Sequence, residues 1–137
     1  MERGVEVFIS YSQDDRATAG VLAQFLAARG IEAWWDREIL SGQDFARSIE
    51  EALRAARAAI VIWSDSAVRK EYVLNEATYA RNHDKLITVH VAKFDTDKIP
   101  LGFILRQSEC VDDRARLIQA LARFGIRPCP TAVRSDG

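Results

Sequence analysis

The segment IVIWSDS at positions 60–66 decides the fold of this chain. Its β-branched apolar run is typical of a strand buried on both faces, and the small hydroxylated residues that follow indicate where the strand ends. The sequence KEYVLNE at positions 70–76 then predicts a helix. We expect this helix to begin near Lys70, after a loop or short turn across positions 64–69, because the charge of Glu71 suits a first helical turn.

The same alternation of strands and helices extends in both directions along the chain. Strands are predicted at positions 5–11, 31–35, 58–63, 86–91 and 108–111. Helices are predicted after Ser12, after the capping pattern at 41–44, near Lys70 and from 114 to 124. In the first helix Ser12 is the cap, Asp15 reaches back to it from the third helical position, and Gly30 closes the helix. This pattern implies an α/β fold: a five-stranded parallel sheet with right-handed crossovers and helices on both faces.

Length and composition indicate one globular domain. The 137 residues suit a single compact unit, expected at residues 1–124, followed by a C-terminal tail or linker at 125–137. Charged residues make up 28% and apolar residues 48%, which is too apolar for a disordered chain. The net charge is −1 and the Lys and Arg residues are scattered, so nucleic-acid binding is disfavoured because phosphate affinity needs concentrated positive charge.

The cysteine content and the apolar runs indicate where the chain resides. Two cysteines, Cys110 and Cys129, are too few for a disulfide scaffold and suggest a reducing compartment. No apolar run approaches the roughly 18 residues of a membrane helix, and the N-terminus lacks a signal-peptide pattern. We therefore expect a cytoplasmic protein without a membrane partner.

The strand order predicts where a ligand binds. In a flavodoxin-like sheet of order 2-1-3-4-5, the chain reverses direction between strands one and three, and ligands bind outside the carboxyl ends of the strands at that point. The loops there are positions 10–13 and 64–69. The order thus predicts a pocket without assigning its chemistry.

Glu76 is the strongest candidate for a chemical role at that pocket. It follows Tyr72 by one helical turn, so the carboxylate and the ring lie on the same helix face. A carboxylate beside an aromatic ring suits a cationic, sugar-like transition state. The spacing alone favours a simpler interpretation, a carboxylate at the edge of an apolar face that is paired with Arg69 or another cation or reaches water.

Other chemistries have weaker support in the sequence. His83 and His90 have no second ligand at a metal-binding spacing, and Cys110 has no nearby histidine that would activate it. The chain contains neither a G-x-G-x-x-G motif nor a Walker motif for phosphate binding. These observations leave Glu76 as the principal candidate.

A set of short motifs resembles one known family. The motifs, in chain order, are FISYS at 8–12, Trp35-Asp36 with Leu40 and Gly42 before Phe45, Trp63-Ser64, and Tyr72-x-x-x-Glu76. Together they are similar to a Toll/interleukin-receptor (TIR) domain of the bacterial NAD-cleaving type, over roughly residues 4–124. The resemblance implies the 2-1-3-4-5 order, in agreement with the strand pattern.

The resemblance also implies site residues. In catalytic family members a glutamate on the helix after strand three cleaves NAD⁺ between nicotinamide and ribose, and Glu76 matches it; the position four earlier, commonly Trp, is Tyr72. By the same matching Ser10, Tyr11 and Ser64 line the pocket floor. The loop at 36–42 corresponds to a mobile loop that covers the site and mediates assembly. The implied substrate-binding residues are Ser10, Tyr11, Asp36, Leu40, Phe45, Ser64 and Tyr72, with no cofactor because NAD⁺ is the substrate.

Two functions follow from the resemblance. The first is an NAD⁺ nucleosidase that gives nicotinamide and ADP-ribose or a cyclic isomer, as an effector or signal generator in bacterial antiviral defence. The second is a non-catalytic TIR scaffold, or a mimic of host TIR domains, that acts by TIR–TIR association. Scaffolds usually lack the glutamate, so Glu76 favours the first. Implied partners are NAD⁺, other TIR domains and a fused or separate sensor domain.

Overall fold

The structure is a computed structural model that describes residues 6–36, 44–103 and 108–128, and only the backbone of residues 44–46. Its strands are β1 (Val7–Ser10), β2 (Ala33–Trp34), β3 (Ala58–Trp63), β4 (Leu86–His90) and β5 (Glu109–Cys110). Its helices are α1 (Arg16–Ala27), α2 (Asp44–Ala55), α3 (Glu71–Asn82) and α4 (Arg114–Ala122). Among the described residues no helix is long and apolar enough to cross a membrane.

The five strands form one parallel sheet in the order β2-β1-β3-β4-β5, which confirms the predicted fold. All six residues of β3 are buried, as the apolar run predicted. The edge strands β2 and β5 are only two residues long, shorter than the sequence pattern suggested. An edge strand pairs on one side only, so its length is set by contacts that a local pattern does not contain.

The two faces of the sheet have separate cores. One face packs against α1 and α4, and the other against α2 and α3. The first core includes Ile9, Tyr11, Leu22 and Leu117, whereas the second includes Phe8 and Val73 from its strand and helix. Because side chains along a strand alternate between faces, neighbouring residues of β1 serve different cores.

The ends of α1 and α4 are alike. Gly30 has a φ of 79° and Gly125 a φ of 78°, the left-handed conformation that glycine adopts readily. The amide of Ile31 then bonds the Leu26 carbonyl, which confirms the predicted closure of the first helix. The amide of Ile126 likewise bonds Leu121, and Ile126 is fully buried, so the packed core extends past the position where the tail was expected to begin.

The start of α1 differs from the prediction in one respect. Ser12 does act as a cap, because its Oγ accepts from the Asp14 amide at 3.3 Å. The first turn, however, is a 3-10 helix at Gln13–Asp15, and α1 proper begins at Arg16. The Asp15 carboxylate does not reach back to the cap; it accepts a hydrogen bond from Ser64 instead.

The start of α3 is as predicted. A 3-10 turn at Ala67–Arg69 follows β3, and α3 begins at Glu71. The expectation of a short turn before a helix starting near Lys70 is thereby confirmed. This start places the helix close enough to the sheet for its side chains to reach the strand ends.

Lys85 ties α2 to the sheet. Its side chain is buried, and its Nζ donates to the carbonyl oxygens of Leu53, Arg54 and Ala56 at 2.6, 3.2 and 2.9 Å. The last carbonyls of a helix lack intrahelical partners and carry the negative end of its dipole. An ammonium group that donates to three such oxygens therefore stabilises the end of α2 next to the start of β3.

Replacing Lys85 by Met should destabilise the fold. The variant Lys85→Met keeps the aliphatic stem but removes three donors, so we expect a loss of about 2 kcal/mol, or roughly 5–10 °C in melting temperature. Thermal melting measures it. The matched control is Lys98→Met, which breaks the exposed ion pair to Asp65 and should cost less than about 1 kcal/mol. Equal melting of the two variants would contradict the proposed role of Lys85.

Candidate functional site

The candidate site lies where the carboxyl ends of β1 and β3 meet. These strands pair in parallel, with Ser10 opposite Val61, so the loops that follow them leave the sheet side by side. This is the point at which the strand order reverses, as the sequence predicted. The helix that follows β3 brings a carboxylate over the end of β1.

Glu76 is that carboxylate. It is only 8% exposed, and its Oε1 accepts a hydrogen bond from Ser10 Oγ at 2.7 Å. Val73, Ala77 and Ala80 of the same helix are fully buried, so Glu76 does lie within the apolar arc of α3. A carboxylate buried among apolar neighbours is costly unless it is hydrogen-bonded, and the Ser10 hydroxyl meets part of that cost. The bond also fixes where the carboxylate points.

Tyr72 stands one turn before Glu76 and is 38% exposed. Its hydroxyl donates to the backbone carbonyl of Tyr11 at 3.1 Å. The ring is therefore attached to the end of β1 while one side of it remains open to solvent. This is the geometry of a wall beside the site, and the hydroxyl holds that wall in place.

Ser10 and Tyr11 do not share one surface. Ser10 faces α3, whereas the Tyr11 side chain is 1% exposed in the core on the opposite face, with α1. Its hydroxyl donates to the Trp35 carbonyl at 2.6 Å. Of the two residues expected on the pocket floor, the structure brings only the Ser10 side chain to Glu76. Tyr11 contributes its backbone carbonyl, through Tyr72.

The Ser64 hydroxyl is bonded within the protein. Ser64 is buried; its Oγ donates to Asp15 Oδ2 at 2.5 Å and accepts from the Ala67 amide at 3.0 Å. A second bond beside it joins the hydroxyls of Ser12 and Ser66 at 2.5 Å. These two bonds connect the loop after β1 to the loop after β3.

Three members of this site, Ser12, Asp15 and Ser66, were not predicted as site residues. The sequence indicated Ser12 and Asp15 only as residues at the start of a helix, and no local pattern links them to residues about fifty positions away. A usable signal did exist: hydroxylated and acidic residues follow two strands that the predicted order makes neighbours. Such residues meet at one edge of a parallel sheet.

Asp15 has an unusual electrostatic environment. Burial raises the pKa of the Asp15 carboxyl above its usual value; the Ser64 hydrogen bond opposes this rise, and the charge of Asp14 adds to it. The folded protein therefore holds this carboxylate at some cost. The stability of the fold alone therefore gives no reason for a carboxylate at this position.

Asp36, another of the predicted residues, lies beside α1, away from Glu76. Asp36 Oδ1 forms an ion pair with Arg16 at 2.9 Å, and the Arg16 guanidinium lies 5.0 Å from the centre of the Trp35 ring. Leu40 and the side chain of Phe45 lie outside the described residues, as does the loop at 37–43. Their expected contacts with substrate stay predictions.

Among the described residues there are also a cavity away from this site and a buried side-chain nitrogen at the end of β3. A cavity of ≈ 680 Å³ runs along β4 and α4, lined in part by Arg81, Arg116 and Arg123, and none of the candidate site residues lines it. Within the described part of the chain, Trp63 Nε1 is a buried side-chain nitrogen with no hydrogen-bond partner. Its ring packs against Phe103, with the ring centres 5.4 Å apart.

A model of the TIR domain family matches residues 7–123, so the chain belongs to that family. No curated protein matches the chain at a significant level. The fold is similar to that of several solved structures that share little sequence with it.

Three of these structures illustrate the range. The TIR domain of the Toll-related receptor TRR-2 from Hydra magnipapillata has a TM-score of 0.70 at 17% identity, covering 88% of this chain and 98% of that one. A TIR-STING receptor from C. gigas, in complex with 2′,3′-cGAMP, has a TM-score of 0.71 at 19% identity, covering 93% and 42%. The TIR domains of the activated Roq1 resistosome, which recognises the effector XopQ, have a TM-score of 0.58 at 22% identity, covering 88% and 83%. At these identities the likeness shows the fold alone.

Proposed function

We propose that this TIR domain cleaves the bond between nicotinamide and ribose in NAD⁺, with Glu76 as the catalytic residue. The observation that carries the proposal is the buried Glu76 carboxylate, bonded to Ser10 Oγ at 2.7 Å where the strand order reverses. Ligands of such parallel sheets bind at this point, so a buried carboxylate held there is placed to meet a substrate.

The arrangement suits this reaction for a chemical reason. Breaking the nicotinamide bond builds positive charge on the ribose, while nicotinamide leaves as a neutral base. The second carboxylic acid of ordinary glycoside hydrolysis, which protonates the leaving group, is then unnecessary. One carboxylate held near the ribose can bind its hydroxyls and stabilise the developing charge, most strongly where water is excluded.

The neighbouring residues have separate roles in this proposal. Ser10 holds the Glu76 carboxylate in place, and Tyr72 forms a wall for the substrate one helical turn away. Asp36, Leu40 and Phe45 match the substrate-covering loop of NAD-cleaving family members and its flank, and in this proposal they contact NAD⁺. The nicotinamide-free product is ADP-ribose or a cyclic isomer, depending on whether water or an adenine nitrogen attacks the ribose.

The biological role that we propose is an effector or signal generator in bacterial antiviral defence, switched on by association of several TIR domains. The support is the family membership together with the residues that resemble its NAD-cleaving members. The TIR domains of the Roq1 resistosome, one of the similar structures, are observed in an assembly. A scaffold without activity is the competing function, and the experiments below separate the two.

Replacing Glu76 by Gln should abolish NAD⁺ cleavage and leave the fold intact. Gln can still accept the Ser10 hydrogen bond, but it offers no charge to the transition state. Losing one preorganised electrostatic partner typically costs about 10²–10³ in rate. The measurement is nicotinamide release, with thermal melting of the same samples, at protein concentrations that support assembly.

The matched control is Glu71→Gln, the same change at an exposed position in the first turn of α3. It should release nicotinamide at the wild-type rate. A Glu76→Gln protein that melts normally and still releases nicotinamide as fast as this control would exclude Glu76 as the catalytic residue. If the wild type assembles but releases none, the scaffold function is favoured.

Loss of the Tyr72 ring should lower NAD⁺ turnover more than loss of its hydroxyl alone. Tyr72→Ala removes the wall and should lower NAD⁺ turnover roughly ten-fold, since an aromatic contact is worth about 0.5–1.5 kcal/mol beyond its area. Tyr72→Phe keeps the ring but loses the bond to the Tyr11 carbonyl, so its loss should be smaller. Steady-state turnover of both variants decides; equal losses would show that the ring is not the functional part.

Specific activity should rise with protein concentration. In the family that the chain resembles, the loop matching positions 36–42 completes the site across neighbouring subunits, and ordering it by assembly removes an entropic cost from each site. NAD⁺ turnover per molecule is measured over a hundred-fold range of concentration, with and without a crowding agent. A constant specific activity throughout would contradict control by assembly.

A further inference from the structure

Two side-chain bonds join the loops that follow β1 and β3. They are Ser64 Oγ to Asp15 Oδ2 and Ser12 Oγ to Ser66 Oγ, each 2.5 Å long. We call these four residues the loop clasp. Neither bond involves Glu76 or Tyr72, and both lie between the sheet and the start of α3.

Ser64, a member of the loop clasp, also bonds the turn that leads into α3. Ser64 accepts from the Ala67 amide through its Oγ and from the Val68 amide through its carbonyl, at 3.0 and 3.1 Å. The Lys70 amide in turn bonds the Ala67 carbonyl at 3.1 Å, and α3 begins at the next residue. A series of hydrogen bonds therefore runs from Asp15, through Ser64 and the 3-10 turn, to Lys70, the residue that precedes the helix.

The capping residue of α3 does not fix this end of the helix through its side chain, although the Tyr72 hydroxyl in the first turn bonds the Tyr11 carbonyl. Lys70 is the N-cap of α3 and makes no side-chain capping bond. Ser66, a residue type suited to capping, makes none at the start of the 3-10 turn and uses its hydroxyl for Ser12. The start of a helix without a cap is set by the chain that leads into it.

We propose that Asp15 and Ser64 are positioning residues: through the clasp they hold the start of α3 against β1, so that the Glu76 carboxylate stays on Ser10. Glu76 lies five residues after the helix start, or about 7.5 Å along the axis. A small shift of the turn is carried along the helix to the carboxylate, and misplacement by about 1 Å can cost up to 10²-fold in rate.

The cost of Asp15 is consistent with this role. The carboxylate is half-buried, and burial raises its pKa, so an uncharged residue would be easier to accommodate. A carboxyl group whose pKa is shifted by burial and by a specific partner is a candidate for a functional site. The proposal rests on the proposed function for its effect on rate, but its structural part can be tested without NAD⁺.

The test compares three variants in the loop after β1 and one in the loop after β3. Asp15→Ala breaks the bond to Ser64, whereas Asp15→Asn keeps an oxygen that can accept it. Asp14→Ala is the matched control, because Asp14 is exposed and its side chain is not part of the clasp. Ser66→Ala breaks only the second bond at a half-exposed residue, so it remains informative if Asp15→Ala fails to fold. Each variant is measured by steady-state NAD⁺ kinetics and by amide hydrogen exchange at Ala67 and Val68.

For Asp15→Ala we expect kcat to fall five- to twenty-fold with KM changed less than two-fold, and exchange at both amides to rise at least ten-fold. Ser66→Ala should change both quantities in the same direction by less. Asp15→Asn and Asp14→Ala should stay within two-fold of wild type. Equal losses for Asp15→Asn and Asp15→Ala, a change in KM alone, or unchanged amide exchange would overturn the proposal. A wild type that releases no nicotinamide would refute the proposed function instead, and the exchange data would still decide whether the clasp orders the turn.

Discussion

The parallel pairing of β1 with β3 is the constraint on which the site depends. It sets residues that are about fifty positions apart in the chain side by side at one edge of the sheet. Four side-chain bonds at that edge join the β1 end to the segment after β3: Ser10 to Glu76, Tyr11 to Tyr72, Ser12 to Ser66 and Asp15 to Ser64. The two fully buried strands supply the rigid base, and the loops supply the polar groups.

The central part of the fold could be predicted because its signals are local. The apolar run of β3, the glycine that ends α1 and the start of α3 near Lys70 each follow from a few adjacent residues. The lengths of the edge strands could not be predicted in the same way, because β2 and β5 end where their pairing with the neighbouring strand ends. The burial of Ile126 beyond the expected end of the domain is likewise a tertiary contact, although Gly125 marks the turn that allows it.

The site shows the same division between local and long-range information. The one-turn spacing of Tyr72 and Glu76 placed both on the face of α3 that meets the sheet, and the structure brings Glu76 to Ser10. The family match placed the side chains of Ser10 and Tyr11 on the same pocket floor. Adjacent side chains of a strand point to opposite faces of the sheet, so the predicted strand at 5–11 already argued against this placement. The partner of Asp15 could not be identified from the local capping pattern, which does not distinguish a capping residue from one bonded across 49 positions; only the predicted pairing of β1 with β3 points to it. The match to the TIR family model shows the family of the chain, but it does not identify these contacts, which only the structure shows.

Tyr11 connects two parts of the structure mechanically. Its hydroxyl bonds the Trp35 carbonyl, where the chain leaves β2, while its own carbonyl receives the Tyr72 hydroxyl from α3. One residue with a rigid, buried ring thus links opposite faces of the sheet. A force that shifts the Trp35 backbone therefore acts on the same residue that anchors the Tyr72 ring beside Glu76. If binding at one of these positions changes the affinity at the other, thermodynamic linkage requires the reverse effect to be equal in free energy.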